Sequence, residues 1–533
     1  MRLAPRQERF DTIVIGSGFG GSFVARALVR AGERVLMLER GDWVPRSAQS
    51  WEPEGFFTLT SHYGTDTPYR VRTGRRERTE GACYCVGGPS VFYGGASFRF
   101  READFRSAPE IVGDSGAEWP LHYAALEPYY TRAERILGVA GRAGEDPTEP
   151  SRSGPYPQPA PEAAATTRVV ESAARRLGLN PFPIPLAINY APESARQCVA
   201  CIACDGFACA VEAKNDLATV VLPELIRRGL TLRPNTVVTR LVAEGKRVVS
   251  LQCFDRESGD RVSYRARRFV LAAGALASPH LLLASGLERL NPGGRSVGRY
   301  LMRHCNAFVF GVFARDVDPG RRFHKQIAIQ DFYFGHPAIA APAGKLGNIQ
   351  QVMAPPVGPV SDRLPARLRR PLGPLVARGV RHLTGLLVIA EDQPQRQNRV
   401  ELDPGRSDRF GLPQLVVTHR YTSRDRLARL ALIRQARRIL REAGALFTLV
   451  HPIETFSHAV GTVRMGIDPA TSALDEHCRF RGVENLYVVD GSVMPTSAGL
   501  NPSLTIAANA LRVGDHLARN PTARRAIKAA TPD

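Results

Sequence analysis

The chain has 533 residues, more than one simple hydrophobic core can organise, so we expect at least two lobes. Hydrophobic residues make up 44% and charged residues 23%, and no apolar run reaches the roughly 20 residues that span a bilayer, which argues against a transmembrane segment. The formal net charge of +20 would suit an anionic partner. The arginines are scattered and accompany no nucleic-acid-binding motif, so we expect no nucleic acid among the partners.

The N-terminal stretch Met1 to Phe10 is short and polar and leads straight into a strand pattern. It leaves no room for the apolar region of a signal peptide. We therefore expect a cytoplasmic protein, with export bound to a signal-bearing partner as the alternative. The nine cysteines, an odd number, argue against a disulfide framework in such a chain.

The first predicted elements, within residues 12–38, are a buried strand, a glycine-rich turn, a helix and a second strand. The turn carries Gly16-x-Gly18-x-x-Gly21, and Glu39 ends the second strand. In such a βαβ unit the first glycine allows the tight turn, the second lets the backbone approach a pyrophosphate, and the third allows close packing. A carboxylate at Glu39 can accept hydrogen bonds from ribose hydroxyls. The pattern predicts a dinucleotide site, but it does not separate FAD from NAD.

The middle of the chain predicts a second lobe. Residues 141–164 hold many proline, glycine and alanine residues and indicate a surface connector. Residues 386–420 suggest long strands, and residues 423–443 an arginine-rich amphipathic helix. Between them, residues 360–382 combine six arginines with one aspartate. Three prolines should interrupt any long helix there, so we interpret this segment as a mobile lid or rim over a substrate cavity, with a membrane-surface segment as the alternative.

Later segments carry a family resemblance. Residues 87–95 read GGPSVFYGG, residues 270–286 read VLAAGALASPHLLLASG, residues 457–466 read SHAVGTVRMG, and residues 488–512 read VVDGSVMPTSAGLNPSLTIAANALR. Together with the glycine-rich turn, they resemble the glucose–methanol–choline (GMC) oxidoreductases in order and spacing, from residue 11 to about 517. The resemblance implies an α/β fold, in which a Rossmann-like FAD-binding lobe holds an inserted α+β substrate-binding lobe with an antiparallel sheet.

The resemblance also implies the order of the lobes along the chain. The FAD-binding lobe would comprise residues 11–130, 214–300 and 456–520. The connector and the cysteine-rich insertion would occupy residues 131–213, and the substrate-binding lobe residues 301–455.

Further cofactor contacts are carried over from the matching motifs by position. The resemblance implies that Gly87, Gly88 and Ser90 line the flavin and that the backbone of Val238 contacts the adenine. It also implies that Asp490, Gly491 and Thr505 hold the rest of FAD. Some relatives attach FAD covalently through a histidine at the position of Phe92, so we expect non-covalent FAD here.

The catalytic pair implied by the resemblance is His458 and Asn501. Hydride loss from a carbinol carbon is easy once the hydroxyl proton is leaving, and a neutral imidazole accepts that proton near physiological pH. A second polar group fixes the substrate oxygen. We therefore expect oxidation of a primary or secondary alcohol, a small-molecule substrate for which sugars, polyols and glycosidic natural products are the favoured classes. A hydrophobic alcohol such as a sterol, and a non-catalytic flavoprotein redox scaffold, are the alternatives.

Four cysteines are closely spaced at Cys198, Cys201, Cys204 and Cys209. Their spacing is close to that of iron–sulfur proteins. The segment also resembles a cysteine region in sugar dehydrogenases of the same family, where a cluster passes electrons outward. An iron–sulfur cluster serving an electron-acceptor protein or a quinone is therefore one prediction. Zinc, a local disulfide and metal-free thiols are the alternatives.

Overall fold

The computed structural model describes residues 9–47, 63–74, 76–201, 204–320, 322, 325–354 and 364–519. Three predictions include residues outside these ranges. They are the localisation prediction, with residues 1–8, the predicted lid, with residues 360–363, and the last segment of the FAD-binding lobe, with residue 520. Within the described residues, no helix has both the length and the apolar character needed to cross a membrane.

A five-stranded parallel sheet carries the dinucleotide motif. Helix Phe19–Arg30 connects its first two strands, as the sequence predicts. These strands are apolar and largely buried, which is typical of parallel sheets covered on both faces. The strand order is Leu486–Val488, Ala266–Leu271, Phe10–Ile15, Val35–Leu38 and Thr231–Arg233. The sheet therefore joins segments from both ends and the middle of the chain, and it confirms the predicted α/β class.

A six-stranded antiparallel sheet, called here the large sheet, forms the centre of the second lobe. One of its faces packs on helix Ser423–Glu442 around a separate apolar core. Its other face carries Gln350, which hydrogen-bonds to Asn501 and so lies next to the predicted catalytic pair. The strand order is Phe447–Pro452, Cys305–Val312, Leu383–Ala390, Gly347–Val352, Ile327–Ile329 and Phe182–Pro183.

The remaining strands form three smaller sheets. In sheet order they are Arg261–Tyr264, Arg247–Asp255 and Thr236–Glu244; Arg399–Ser407, Pro413–Thr418, Tyr63–Thr73 and Arg76–Cys83; and Ala140–Gly141 and Gln158–Pro159. The other helices are Pro109–Val112, Tyr123–Leu137, Ala165–Arg176, Leu217–Val220, Leu222–Arg227, Ala277–Ala284, Ala366–Val380 and Ser503–Arg519, and the 3₁₀ turns are Gly88–Val91, Glu102–Phe105, Gly113–Ser115, Leu287–Leu290, Gly294–Ser296 and Gly491–Val493.

The expectation that prolines break the segment around residues 360–382 is wrong for its described part. Residues Ala366–Val380 form one helix with Pro371 and Pro374 inside it. A proline leaves the carbonyl four residues earlier without its helical partner. This helix is exposed along most of its length, so water can hydrate those carbonyls, and the prolines are tolerated.

Candidate active site

The glycine-rich turn is shaped by close backbone approaches. Gly16 has a φ of +100°, and a Cβ there would lie 2.4 Å from the carbonyl oxygen of Ala272. A Cβ on Gly21 would lie 1.9 Å from the carbonyl oxygen of Gly16. At Gly18, by contrast, a Cβ would meet no atom within 4 Å. The turn is therefore packed against the sheet on one side and open at the position where the motif admits a pyrophosphate.

Glu39 lies at the centre of a hydrogen-bond network beside this turn. Its Oε2 accepts hydrogen bonds from the backbone N–H of Ser17 at 3.0 Å and from the hydroxyl of Ser17 at 2.6 Å, and its Oε1 accepts one from the N–H of Gly41 at 3.0 Å. Burial raises the pKa of Glu39, and these hydrogen bonds oppose the rise. Ser17 also accepts a hydrogen bond from the N–H of Gly87 at 2.9 Å. Ser17, an unspecified position of the motif, therefore links two predicted cofactor segments.

The predicted flavin-lining segment lies against the glycine-rich turn. Gly87 and Gly88 both have positive φ angles, and a Cβ on Gly88 would lie 3.1 Å from the Cα of Gly18. Ser90 donates to the carbonyl of Gly87 at 2.7 Å and accepts from the N–H of Leu217 at 3.1 Å. These bonds hold the Gly87–Gly88 loop over the turn.

The C-terminal segment supplies the next predicted contacts. Burial raises the pKa of Asp490, whose carboxylate accepts hydrogen bonds from the N–H groups of Ser492 at 2.8 Å and Gly274 at 3.0 Å. It thereby fixes the backbone at Gly491, which is buried. The hydroxyl of Thr505 lies 2.7 Å from that of Tyr130.

Val238 occupies a strand that starts beside Glu39, because the N–H of Thr236 donates to the carbonyl of Glu39 at 2.8 Å. Val238 is almost fully buried. The structure thus brings its strand next to the predicted ribose-binding residue.

Together these residues fit FAD. Helix Phe19–Arg30 begins beside the open position at Gly18, and no side chain caps its N-terminus. Backbone N–H groups and the helix dipole at such a terminus attract phosphates. The neighbouring glycine loop approaches to contact distance, so the cradle is narrow, glycine-lined and open where a dinucleotide backbone needs room.

His458 and Asn501 meet at the seam between the two lobes. Nδ2 of Asn501 lies 3.5 Å from Nε2 of His458. Oδ1 of Asn501 accepts a hydrogen bond from Gln350 at 2.7 Å, which turns the amide nitrogen toward the imidazole. The pKa of His458 is lowered to about 3, chiefly by burial and further by His304 in its protonated form and by the charge of Lys325. His458 is only intermediate in burial, so the residue keeps some solvent-accessible surface.

His304 determines which ring nitrogen of His458 carries the proton. Nε2 of His304 lies 3.1 Å from the carbonyl oxygen of Ser497. A carbonyl only accepts, so this nitrogen carries the proton, and Nδ1 of His304 is an acceptor whenever the ring holds only that one proton. The two Nδ1 atoms are 3.0 Å apart, so in that state His458 donates from its own Nδ1. Nε2 of His458 is therefore left with a lone pair.

Asp392 supports this arrangement from behind. Its carboxylate accepts hydrogen bonds from the N–H groups of Arg303 at 2.8 Å and His304 at 3.1 Å and from the hydroxyl of Ser497 at 2.9 Å. Burial acts to raise the pKa of Asp392, but its histidine neighbours, His419 and His304, outweigh this and lower it. His304 has a φ of +63°, an uncommon conformation for a non-glycine residue, and the carboxylate holds it there.

Sequence reasoning missed His304, Gln350, Asp392 and Ser17. None of them stands out by spacing, since His304 and Asp392 flank two different strands and Gln350 lies within a third. Only Ser17 could have been found from the sequence, because it lies inside the recognised glycine motif.

The four clustered cysteines carry thiols rather than disulfides. Burial raises the pKa of Cys198 to about 11 and raises the pKa of Cys204 well above its ordinary value, and other cysteines of the group are close enough to add to both effects. Metal ligation requires thiolates. Among the described residues, which include all four cysteines, no group of three or more His, Cys, Asp or Glu is arranged to hold a metal ion. The iron–sulfur cluster therefore stays a prediction.

The cysteine segment reaches the catalytic region through one ion pair. Asp205, directly after Cys204, lies 2.8 Å from the ammonium group of Lys325. Lys325 is buried, and its charge contributes to the low pKa of His458. This contact places the segment beside the seam between the lobes.

Two family models, both described as GMC oxidoreductase, match residues 10–306 and 394–510. They cover well over half of the chain, which therefore belongs to the GMC oxidoreductase family. The resemblance seen in the sequence is confirmed, and with it the enzyme class, an FAD-dependent oxidoreductase that acts on alcohols.

Curated relatives extend over nearly the whole chain. The 6'''-hydroxyparomomycin C oxidase of Streptomyces lividus is 33% identical, over 97% of this chain and 93% of the relative. The paromamine 6'-oxidase of Streptomyces fradiae is 35% identical, over 94% and 90%. Among solved structures, pyridoxine 4-oxidase from Mesorbium loti matches 95% of this chain and 99% of that chain with a TM-score of 0.68 at 22% identity. This last likeness concerns the fold alone.

Proposed function

We propose that this protein oxidises a hydroxyl group of a sugar, polyol or glycoside to an aldehyde or ketone. The observation that carries the proposal is the pairing of His458 with Asn501, in which the lone pair of a neutral imidazole lies beside an amide donor. Loss of a hydroxyl proton needs such a base and such a donor together. The relatives that oxidise 6'''-hydroxyparomomycin C and paromamine support this substrate class.

The chain's own residues handle the oxygen and its proton. Asn501, oriented by Gln350, donates to the substrate oxygen, and Nε2 of His458 accepts the hydroxyl proton. Nδ1 of the resulting imidazolium remains hydrogen-bonded to His304, and the charge of Asp392 stabilises the cation. FAD, bound in the glycine-lined cradle, supplies the hydride acceptor.

We propose that FAD is bound without a covalent link. Phe92, at the position where some relatives carry the linking histidine, is buried among Val44, Cys85, Val91 and Ala208. A phenyl ring has no nucleophilic nitrogen. We propose that the electron acceptor is oxygen, a protein or a quinone. If the cysteine segment holds a cluster, it passes electrons to a protein or a quinone.

His458→Ala tests the assignment of the base. The variant should retain FAD, because none of the described cradle contacts involves His458, and should lose about 10²–10⁴-fold in kcat, the usual contribution of a general base. A dye-linked assay with polyols and sugars measures kcat, and the flavin absorbance of the purified variant serves as the control for folding. Turnover close to that of the wild type would remove His458 from the proposed role.

A further inference from the structure

One face of the large sheet presents amide side chains toward the catalytic pair. Because side chains alternate along a strand, residues in register on adjacent strands share a face. Gln350 belongs to this face and bonds to Asn501. Two rows lie across it, Asn306, Ile389 and Asn348 in the first, and Phe308, Leu387 and Gln350 in the second.

Each of the three amides has a polar atom without a partner. Asn348 and Gln350 are fully buried and Asn306 is nearly so. Nδ2 of Asn348, Oε1 of Gln350 and Oδ1 of Asn306 make no hydrogen bond in the structure. Buried polar atoms are nearly always paired in native proteins, since leaving them unpaired is unfavourable. Three such atoms on one face, beside a catalytic pair, indicate a ligand that completes them.

Internal hydrogen bonds fix which atoms remain available. Nε2 of Gln350 is engaged with Oδ1 of Asn501 at 2.7 Å and with Oδ1 of Asn348 at 3.3 Å. The unpaired buried atoms of this face are therefore one amide nitrogen, of Asn348, and two amide oxygens, of Gln350 and Asn306. A hydroxyl group both donates and accepts and can satisfy either kind. A carboxylate would place its oxygens against two acceptors, and an ammonium would find no counter-charge among the three amides.

This face of the large sheet carries aromatic instead of amide side chains farther from the catalytic pair. Along its strand Asn306 is followed, on the same face, by Phe308 and Phe310, whose rings stack with centroids 5.7 Å apart and are only partly buried. Gly385 makes room for them, since a Cβ there would lie 2.6 Å from Cε1 of Phe310. Asn306 and Asn348 flank Ile389, so they stand two strand spacings apart, about 10 Å.

We infer that Asn306, Asn348 and Gln350 form a recognition site for hydroxyl groups that neighbour the reacting one. This inference rests on the proposed alcohol oxidation and assigns the recognition of its polyhydroxylated substrates to these three amides. The three unpaired atoms have almost no accessible surface in this structure, so the neighbouring hydroxyls reach them only when the side chains that cover them move. The aromatic surface beyond the amides packs against the less polar part of the substrate. A simple alcohol leaves the three amide atoms unpaired, so the site discriminates against it.

Asn348→Leu and Asn306→Leu test this site, with glycerol and n-propanol as the matched probes. Wild-type holoenzyme should prefer glycerol in kcat/KM, and each variant should lower the ratio of glycerol to n-propanol at least about tenfold, the cost of one specific hydroxyl contact. Thr384→Val is the control, because Thr384 is equally buried, also has an unpaired oxygen and lies on the opposite face. It should leave the ratio unchanged.

A purely structural role of the amides predicts a different result. Asn348→Leu gives up only the 3.3 Å hydrogen bond from Gln350, so the leucine variants should change the Tm little, whereas structural amides would lower it clearly and leave the ratio intact. Unchanged ratios in both variants, or a wild type without preference for glycerol, would overturn the inference. Binding is followed separately by the shift of the flavin absorbance with glycerol under anaerobic conditions. The wild type could show this shift and the variants lose it, while none of them oxidises an alcohol. That result would contradict the proposed function but support the recognition site.

Discussion

The proton affinity of His458 is the property of a single residue that most affects the reaction. Burial is the main cause of its low pKa, about 3, and protonated His304 and the charge of Lys325 add to it, while Asp392 acts in the opposite direction. A base with a lowered pKa stays neutral above that value, so acidification through pH 6.5, the ordinary histidine value, should not switch it off. We expect the acid limb of the kcat/KM profile to lie well below pH 6.5.

His304 can be tested by substitutions that respect its backbone. Gly and Asn both tolerate a positive φ, but only Asn keeps an acceptor near the position of Nδ1. His304→Gly should lower kcat by about 10²-fold or more, because the proton of His458 is no longer confined to Nδ1, and should move the acid limb toward higher pH. His304→Asn should recover most of kcat. Equal losses in the two variants, with equal Tm values, would contradict the proposed control of the tautomer.

The elements differ in how far the sequence could predict them. The turn from Gly16 to Gly21 and its flanking strand and helix follow from local spacing, and the structure has them as predicted. The pairing of Phe182–Pro183 with Ile327–Ile329 could not be predicted, because the two strands are far apart in the chain and the first has two residues. The same holds for the site: His458 and Asn501 lie in recognisable motifs, whereas His304 is brought to them only by the tertiary fold.

Glu39 tests the dinucleotide cradle at the level of its elements. Glu39→Ala should weaken FAD binding at least tenfold, since charge-assisted hydrogen bonds of roughly 1.5–3 kcal/mol each are lost. It should also lower the Tm of the apoprotein, because the N–H groups of Ser17 and Gly41 lose their acceptor. Titration of apoprotein with FAD measures the affinity. Glu33→Ala, which removes the ion pair with Arg268 near the same sheet, is the control, and an FAD affinity equal in both variants would show that Glu39 is not at the ribose.

At the scale of the whole molecule, the active site exists only where the two lobes meet. His458 and Asn501 come from segments next to the parallel sheet, while Gln350 and the amide face belong to the large sheet with its separate core. Substrate is thus held by one lobe and faces the base and cofactor cradle of the other. Substitutions that weaken the contact between the lobes should therefore lower turnover more than FAD binding, because the residues proposed to form the FAD cradle lie in the lobe of the parallel sheet.

We propose that a hydroxylated substrate bound beside His458 and Asn501 delivers its hydride to FAD. Anaerobic mixing of the purified holoenzyme with glycerol or a methyl glycoside, followed by flavin absorbance in a stopped-flow instrument, tests it most directly. We predict that the oxidised flavin band bleaches at a rate that rises with substrate concentration and levels off, with one carbonyl product formed per flavin. A holoenzyme that contains FAD but keeps the band unchanged with every polyol, sugar and simple alcohol would contradict the account.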